Sequence, residues 1–190
     1  MKLPLLAIRA LMLLGLVTVP VACKRQPHRP PLSSGAVIFE GAGVSLAPGE
    51  NWKQERSGDF ARSQLGELCL PVLEGEGEFK GGVILVYSSR SVRSDPQTKA
   101  ASLRKEIEAK PEIIRTSIKQ EDFTAESGVR GVHISYNQKV EEKGRKYLTR
   151  THFYIVKNKQ QRCVGLSYIT LANKDSEAVH QMIRKTLSLH

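Results

Sequence analysis

Polar side chains able to act as ligands, acids or bases alternate along three segments of this 190-residue chain, near 130–140, 146–156 and 161–170. The sequences EKGR and KNKQ between the segments are typical of hairpin turns, so we predict a three-strand meander. Successive side chains of a strand point to opposite faces, which separates polar from apolar residues. The predicted polar face carries His133, Ser135, Asn137, Arg150, His152, Tyr154, Cys163 and Ser167. The predicted apolar face carries Val132, Ile134, Tyr136, Phe153, Ile155, Val164, Leu166 and Tyr168.

The length of each turn sets which residues of the polar face are neighbours. A tight turn at 142–145 and a second at 157–160 fix the two registers. The predicted cross-strand pairs are Ser135–His152 and Asn137–Arg150 across the first turn, and His152–Gly165 and Tyr154–Cys163 across the second.

Two kinds of chemistry are open to the polar face. A ligand-binding surface would use His133, Ser135, Asn137, Arg150, His152 and Tyr154. A nucleophile or a zinc ligand set would need Cys163 and His152 together. A cysteine nucleophile needs a base that is held in place, and no carboxylate on these strands orients His152. A sheet face that is half exposed to solvent also carries polar residues, without any ligand or reaction. We therefore predict a binding surface at most, with no catalytic residue, no metal ligand and no cofactor.

Cys69 and Cys163 leave two alternatives open. In an oxidising compartment they form a disulfide, or they remain as buried thiols. Neither has the spacing of a metal site, and the sequence has no C-x-x-C motif.

A third cysteine, Cys23, ends an apolar N-terminal segment. Lys2 and Arg9 precede an uncharged stretch that is shorter than the roughly 20 residues of a membrane-spanning helix, and small residues come just before the cysteine. This pattern predicts a signal peptide over 1–22 and a lipid on Cys23. An uncleaved anchor and an ordinary secreted protein are the alternatives.

Residues 23–35 form a proline-rich, basic tether with little to bury, and residues 36–190 are long enough for one domain with a core of its own. The net charge is +10, but the basic residues are spread along the chain and lack the motifs of nucleic-acid readers. We predict a membrane and an envelope protein as partners, and no nucleic acid.

The rest of the domain combines strands with two helices. Asp95-Pro96 is a helix start, Ala100, Leu103 and Ile107 form its apolar stripe, and a short strand near 113–119 follows. We predict further strands near 36–40, 43–47, 68–73 and 82–88, and a last helix from Asn173 or Asp175 to about Leu187. The fold class is α+β with a largely antiparallel sheet, flanked by a central and a C-terminal amphipathic helix. The only tryptophan, Trp52, is expected to be buried.

The lipoprotein leader, the stretch GVSLAPGENW (43–52), the strand–helix unit, the meander and the closing helix together resemble the PsbP/DcrB-like lipoproteins. That fold group includes oxygen-evolving subunits of photosystems. The resemblance implies an α/β/α sandwich over 36–190 and a membrane-tethered, non-catalytic envelope lipoprotein active in protein binding or assembly support. An exported hydrolase or transferase with a site on the polar face is the alternative. In a Gram-negative host, Lys24 after the cysteine suggests the outer membrane, with the domain facing the periplasm.

Overall fold

The computed structural model describes residues 35–39, 41–56, 66–89 and 95–190. The predicted signal peptide (1–22), Cys23 and the tether up to residue 34 lie outside the described residues. Within the described ranges, no helix is both long enough and apolar enough to cross a membrane.

The described chain forms two antiparallel sheets and two α-helices, which confirms the α+β class. In chain order the elements are β1 (Val37–Phe39), β2 (Val44–Leu46), β3 (Trp52–Glu55), β4 (Glu67–Gly75), β5 (Val83–Ser88), α1 (Pro96–Ala109), β6 (Ile113–Thr124), β7 (Arg130–Glu142), β8 (Arg145–Lys157), β9 (Cys163–Leu171), α2 (Glu177–Thr186) and β10 (Ser188–Leu189). Strands β1, β2 and β10 form the small sheet, and the large sheet has the order β3-β4-β5-β9-β8-β7-β6.

The large sheet is covered on both faces. On the α1 face, Leu103 and Ile107 of α1 pack against alternate residues of the strands, among them Leu85. On the α2 face, Val179 and Ile183 of α2 and the small sheet pack against the other set. Strand β5 is buried along its whole length, as expected for an apolar strand covered on both sides.

Helix α1 begins where the sequence predicts. The Asp95 carboxylate accepts a hydrogen bond from the Thr98 backbone N–H, and Pro96 takes the first helical position. Helix α2 begins later than predicted, at Glu177. A 3₁₀ turn over Ala172–Lys174 comes first, and Asp175 is then extended, with one carboxylate oxygen near His152 of the sheet and the other near His180 of the helix.

The meander is present, with one register right and one wrong. Across β7 and β8, Ser135 lies opposite His152 and Asn137 opposite Arg150, as predicted. Across β8 and β9 the predicted pairs are wrong, because the connection runs over 158–162 and is longer than the predicted turn. Asn158 holds this loop: its Oδ1 accepts from the Arg162 N–H and its Nδ2 donates to the Ala42 carbonyl, 116 positions away. The observed pairs are His152–Tyr168, Tyr154–Leu166 and Lys157–Cys163.

The observed register differs from the predicted one by three residues, an odd number, so every β9 side chain lies on the face opposite to the predicted one. Cys163 and Ser167, predicted on the face of His152, lie on the α1 face opposite Lys157 and Phe153. Three residues predicted for the apolar face lie on the α2 face instead: Val164, Leu166 and Tyr168.

The same topology contradicts a disulfide between Cys69 and Cys163. Cys69 is on β4 and Cys163 on β9, and β5 lies between these strands. Two strand spacings are about 9.5 Å, beyond the roughly 7 Å that a disulfide spans. Both thiols are buried and neither is in a disulfide.

Two further predictions can be compared with the structure. Trp52, at the start of edge strand β3, is 7% exposed and stacks on Phe79 at 5.7 Å between ring centroids, which confirms its burial.

Strand β6 runs to Thr124, beyond the predicted end near 119, with an irregular register between Ile114 and Lys119. The added residues bring Glu121 opposite His133.

Candidate functional site

Three histidines from different elements meet on the α2 face. His133 on β7 and His152 on β8 are diagonal neighbours, because Ser135 is the residue directly opposite His152. Their rings stack with centroids 5.2 Å apart, and His133 Nε2 is 3.0 Å from His152 Nδ1. His180 comes from α2, with its ring 4.1 Å from that of His152.

Asp175 joins the sheet to the helix in this cluster. Its Oδ2 is 3.1 Å from His152 Nε2, and its Oδ1 is 3.1 Å from His180 Nε2. The two oxygens reach both rings because Asp175 lies in the extended residues between the 3₁₀ turn and α2. The prediction that no carboxylate orients His152 considered only the strands, and it is wrong for the folded domain.

The contacts continue outward on both sides. Glu121 Oε1 on β6 is 2.9 Å from His133 Nδ1, and the Tyr154 hydroxyl is 2.6 Å from His180 Nδ1. We call this set the histidine network; it consists of Glu121, His133, His152, Asp175, His180 and Tyr154. All six ring nitrogens of its histidines contact another member.

The network is largely buried, not the half-exposed face that the sequence predicts. The side chain of His152 is 5% exposed and those of His133 and His180 are each 12% exposed, whereas Asp175 is 29% exposed. Glu121, at the outer edge of the network, is 58% exposed, and among the residues in contact with His152 the most exposed is Asp175.

With neutral histidines, the network lacks one proton. It has five side-chain contacts, and each needs one proton between its two heavy atoms. The Tyr154 hydroxyl supplies one and three neutral imidazoles supply three, which makes four. One added proton would satisfy every contact of the network. A cation that takes the place of a proton in one of the contacts would do the same.

Burial favours the neutral forms of His152 and His133. It lowers the pKa of His152 to about 4, although the hydrogen bond to Asp175 acts in the opposite direction. Burial also lowers the pKa of His133, against the effect of Glu121. Burial alone would raise the pKa of Asp175, but hydrogen bonds from His152 and His180 outweigh it and keep that pKa well below its usual range.

Arg150 forms a second polar group beside the network. Its guanidinium donates to Asn137 Oδ1, the Ser117 carbonyl and Ser135 Oγ, at 3.2, 3.3 and 2.8 Å. Its Nε is 3.8 Å from Asp175 Oδ2. Arg150 therefore places positive charge at one edge of the network without entering it.

The structure places the six predicted binding-surface residues on one face, but not on an open surface. His133, His152 and Tyr154 belong to the network, whereas Ser135 and Asn137 accept hydrogen bonds from the Arg150 guanidinium. Ser135, His152 and Tyr154 are buried, so only part of the set is accessible. Ligand binding by these residues stays a prediction.

Three members of the network are absent from the predicted set: Glu121, Asp175 and His180. Glu121 lies beyond the predicted end of β6, and Asp175 lies at a predicted helix start. The spacing of Asp175 and His180, five residues apart at the start of a closing helix, was the available signal.

One part of the network has the donor atoms of a metal site. His152, Asp175 and His180 each offer one ligand atom, and these atoms lie within 4.8 Å of one another. Two imidazoles and a carboxylate are a donor set that first-row divalent transition metals accept.

The fold and the site together define an α+β domain with a buried histidine–carboxylate network between a sheet and its C-terminal helix. No model of a known family matches the chain, and no curated protein matches it. Among solved structures, the chain is similar to the crystal structure of LpqN, a protein involved in cell envelope biogenesis of Mycobacterium tuberculosis. The sequence identity is 9% and the TM-score is 0.44, and the match covers 80% of this chain and 88% of LpqN. A likeness this weak assigns neither a family nor a function, so membership of the PsbP/DcrB-like lipoproteins is not confirmed.

Proposed function

We propose that this protein is a lipid-anchored lipoprotein of the bacterial cell envelope, and that its folded domain is a binding module and not an enzyme. The leader supports the first part, because a short apolar stretch ends at small residues and Cys23. The tether that follows would hold the domain near the membrane surface, with the outer membrane preferred in a Gram-negative host.

The observation that carries the second part is the engagement of every ring nitrogen in the network. A general base must reach the proton that it removes, directly or through one water. His152 instead has Nε2 on Asp175 and Nδ1 on His133, and its side chain is 5% exposed. This arrangement suits a site that holds a ligand in place.

The thiols support the same interpretation. Burial raises the pKa of Cys69 to about 11, and it also raises the pKa of Cys163. The thiolate is the nucleophilic form, so both groups are poor nucleophiles at neutral pH.

One observation favours the alternative of an exported hydrolase. Asp175 contacts a ring nitrogen of His152, as the acidic member of a catalytic triad does, although the contact is at Nε2 here and at Nδ1 in the triad. In a triad, however, the second ring nitrogen faces the nucleophile, whereas here it faces His133. The binding module is therefore the better-supported function.

Growth of the host with labelled palmitate tests the anchor. We expect the label on the wild-type chain in the membrane fraction, and a Cys23→Ala variant that is unlabelled and released. Cys69→Ala is the matched control and should keep both the label and the location. Absence of label in the wild type, with Cys23→Ala still in the membrane fraction, would contradict the lipid anchor.

Activity screening of the full chain in detergent tests the non-catalytic role. Hydrolytic or transfer activity that is lost in His152→Gln at an unchanged melting temperature would contradict it.

A further inference from the structure

We infer that His152, Asp175 and His180 bind a first-row divalent transition metal ion, with Zn²⁺ as the probe. This inference deepens the proposed function, since the ion would be a ligand of the binding module. It depends on the geometry of the three side chains and not on the lipid anchor.

The donor atoms already converge. His152 Nε2 and His180 Nε2 each lie 3.1 Å from an oxygen of Asp175. Ligand bonds of about 2.0–2.2 Å in a tetrahedral zinc site place neighbouring donor atoms about 3.3–3.6 Å apart. Small side-chain movements would therefore turn the two hydrogen-bonded contacts into a coordination sphere.

The surrounding contacts are those that metal-ligating histidines require. A ligating histidine almost always donates its other ring N–H to a neighbour, which fixes the tautomer and the orientation of the ring. His152 Nδ1 faces His133 Nε2 at 3.0 Å, and His180 Nδ1 faces the Tyr154 hydroxyl at 2.6 Å. Both Nε2 atoms are thus directed to the same carboxylate.

Metal binding also removes the proton deficit of the network. With Nε2 of both rings on the ion, His152 donates its Nδ1–H to His133 and His180 donates its Nδ1–H to the Tyr154 oxygen. His133 donates its Nδ1–H to Glu121 Oε1, at 2.9 Å. Three neutral imidazoles then supply the three protons that the remaining contacts need.

The charges near the site are balanced and favour modest affinity. Asp175 and Glu121 are negative, whereas Arg150 and Arg184 lie 3.8 Å and 3.5 Å from their respective carboxylates. Arg150 opposes the ion by Coulomb repulsion but is held by Asn137, Ser135 and Ser117. Asp175 is the most exposed ligand, so the ion would enter from its side, where water can complete the coordination sphere.

Zinc titration of the untagged full-length chain in detergent, after chelator treatment and dialysis, tests the inference by calorimetry and by the shift in melting temperature. We expect one Zn²⁺ per chain and a rise in melting temperature on binding. Loss of an outer-shell partner typically lowers metal affinity 10–100-fold, so Asp175→Asn and His180→Gln should each lower it by more than about 100-fold. Tyr154→Phe, which keeps the packing, should lower it about 10-fold.

Matched variants separate this site from other histidines. His190→Gln removes a ring that contacts Ser45, and His28→Gln changes the segment before the domain; both should leave zinc affinity unchanged. Arg150→Gln should raise the affinity, which is the opposite sign to the ligand variants. Co²⁺ should give visible absorption bands that Asp175→Asn abolishes.

Several outcomes would overturn the inference. They are the absence of saturable zinc binding, zinc binding that Asp175→Asn and His180→Gln leave unchanged, and zinc binding that is lost in His28→Gln or His190→Gln. The metal-free melting temperature of each variant is compared with that of the wild type, so that an unfolded variant is recognised. If the ligand variants are unfolded, the zinc affinity of Tyr154→Phe tests the inference in their place. Failure of zinc binding leaves the palmitate result intact, and failure of lipid labelling leaves the zinc result intact.

Discussion

On the α1 face of the large sheet, strands β7 and β8 present Ile134 and Ile155, whereas on the α2 face the same strands present His133 and His152. Ile134 and Ile155 are fully buried, and His152 is nearly so. Apolar side chains need only close packing, and any neighbour of suitable shape supplies it. Buried imidazoles need specific partners, because an unsatisfied buried polar group is costly.

This difference makes the two faces respond differently to change. The α1 face is held by one helix and the sheet itself. The network on the α2 face depends on Glu121 from β6, Asp175 from a short linker and His180 from α2. A single substitution there disturbs groups on several elements, and a bound ion can replace contacts that protons now make.

The largest expected effect is on the α1 face. Leu85 is fully buried on β5, so Leu85→Ala should lower the free energy of unfolding by about 2–5 kcal/mol through lost burial and a cavity. Urea denaturation measures this loss, and zinc affinity of the folded fraction should not change. Leu148→Ala is the matched control: Leu148 is 40% exposed, and its removal should stay within about 0.5 kcal/mol. Equal losses for both variants would contradict the assigned core.

The next effect is an acid sensitivity specific to the α2 face. Burial holds the pKa of His152 at about 4, below the value of about 6.5 expected in the unfolded chain. The unfolded state therefore binds this proton first as pH falls, so stability is present above pH 6.5 and is lost between pH 6.5 and 4. For the metal-free protein, we expect the free energy of unfolding to fall by about 2 kcal/mol from pH 7 to pH 5 through this group.

Urea denaturation at both pH values, in chelator, measures this difference. His152→Gln should remove that part of the pH dependence, whereas His190→Gln should keep it. Identical pH dependence in the wild type and His152→Gln would assign the acid sensitivity to other groups.

The fold of the α1 face could be predicted because its signals are local. The apolar stripe of Ala100, Leu103 and Ile107 follows helical spacing, and Asp95-Pro96 marks the helix start in adjacent residues. The β7–β8 register followed from a tight turn in which Lys143 and Gly144 both have positive φ.

The network could not be predicted because its determinants are distant in sequence. The β8–β9 register depends on Asn158, whose side chain binds a carbonyl 116 positions away. Asp175 reaches His152 because α2 begins at Glu177, later than the predicted start at Asn173 or Asp175. Strand alternation places His133 and His152 on one face, but it carries no information about a carboxylate that arrives from a linker.

The smallest expected effect compares one thiol from each face. Cys69 belongs to the α2-face core and Cys163 lies on the α1 face, and burial raises the pKa of both. With a pKa of about 11, only about one Cys69 in a thousand is a thiolate at pH 8, so alkylation of the folded chain should be very slow. A Cys23→Ser full-length chain isolates these two thiols: mass spectrometry should find neither alkylated in the native state and both alkylated in urea. Rapid native labelling of one thiol would place it at an open surface. A native mass that is two hydrogens lower without reductant would restore the disulfide that the strand order contradicts.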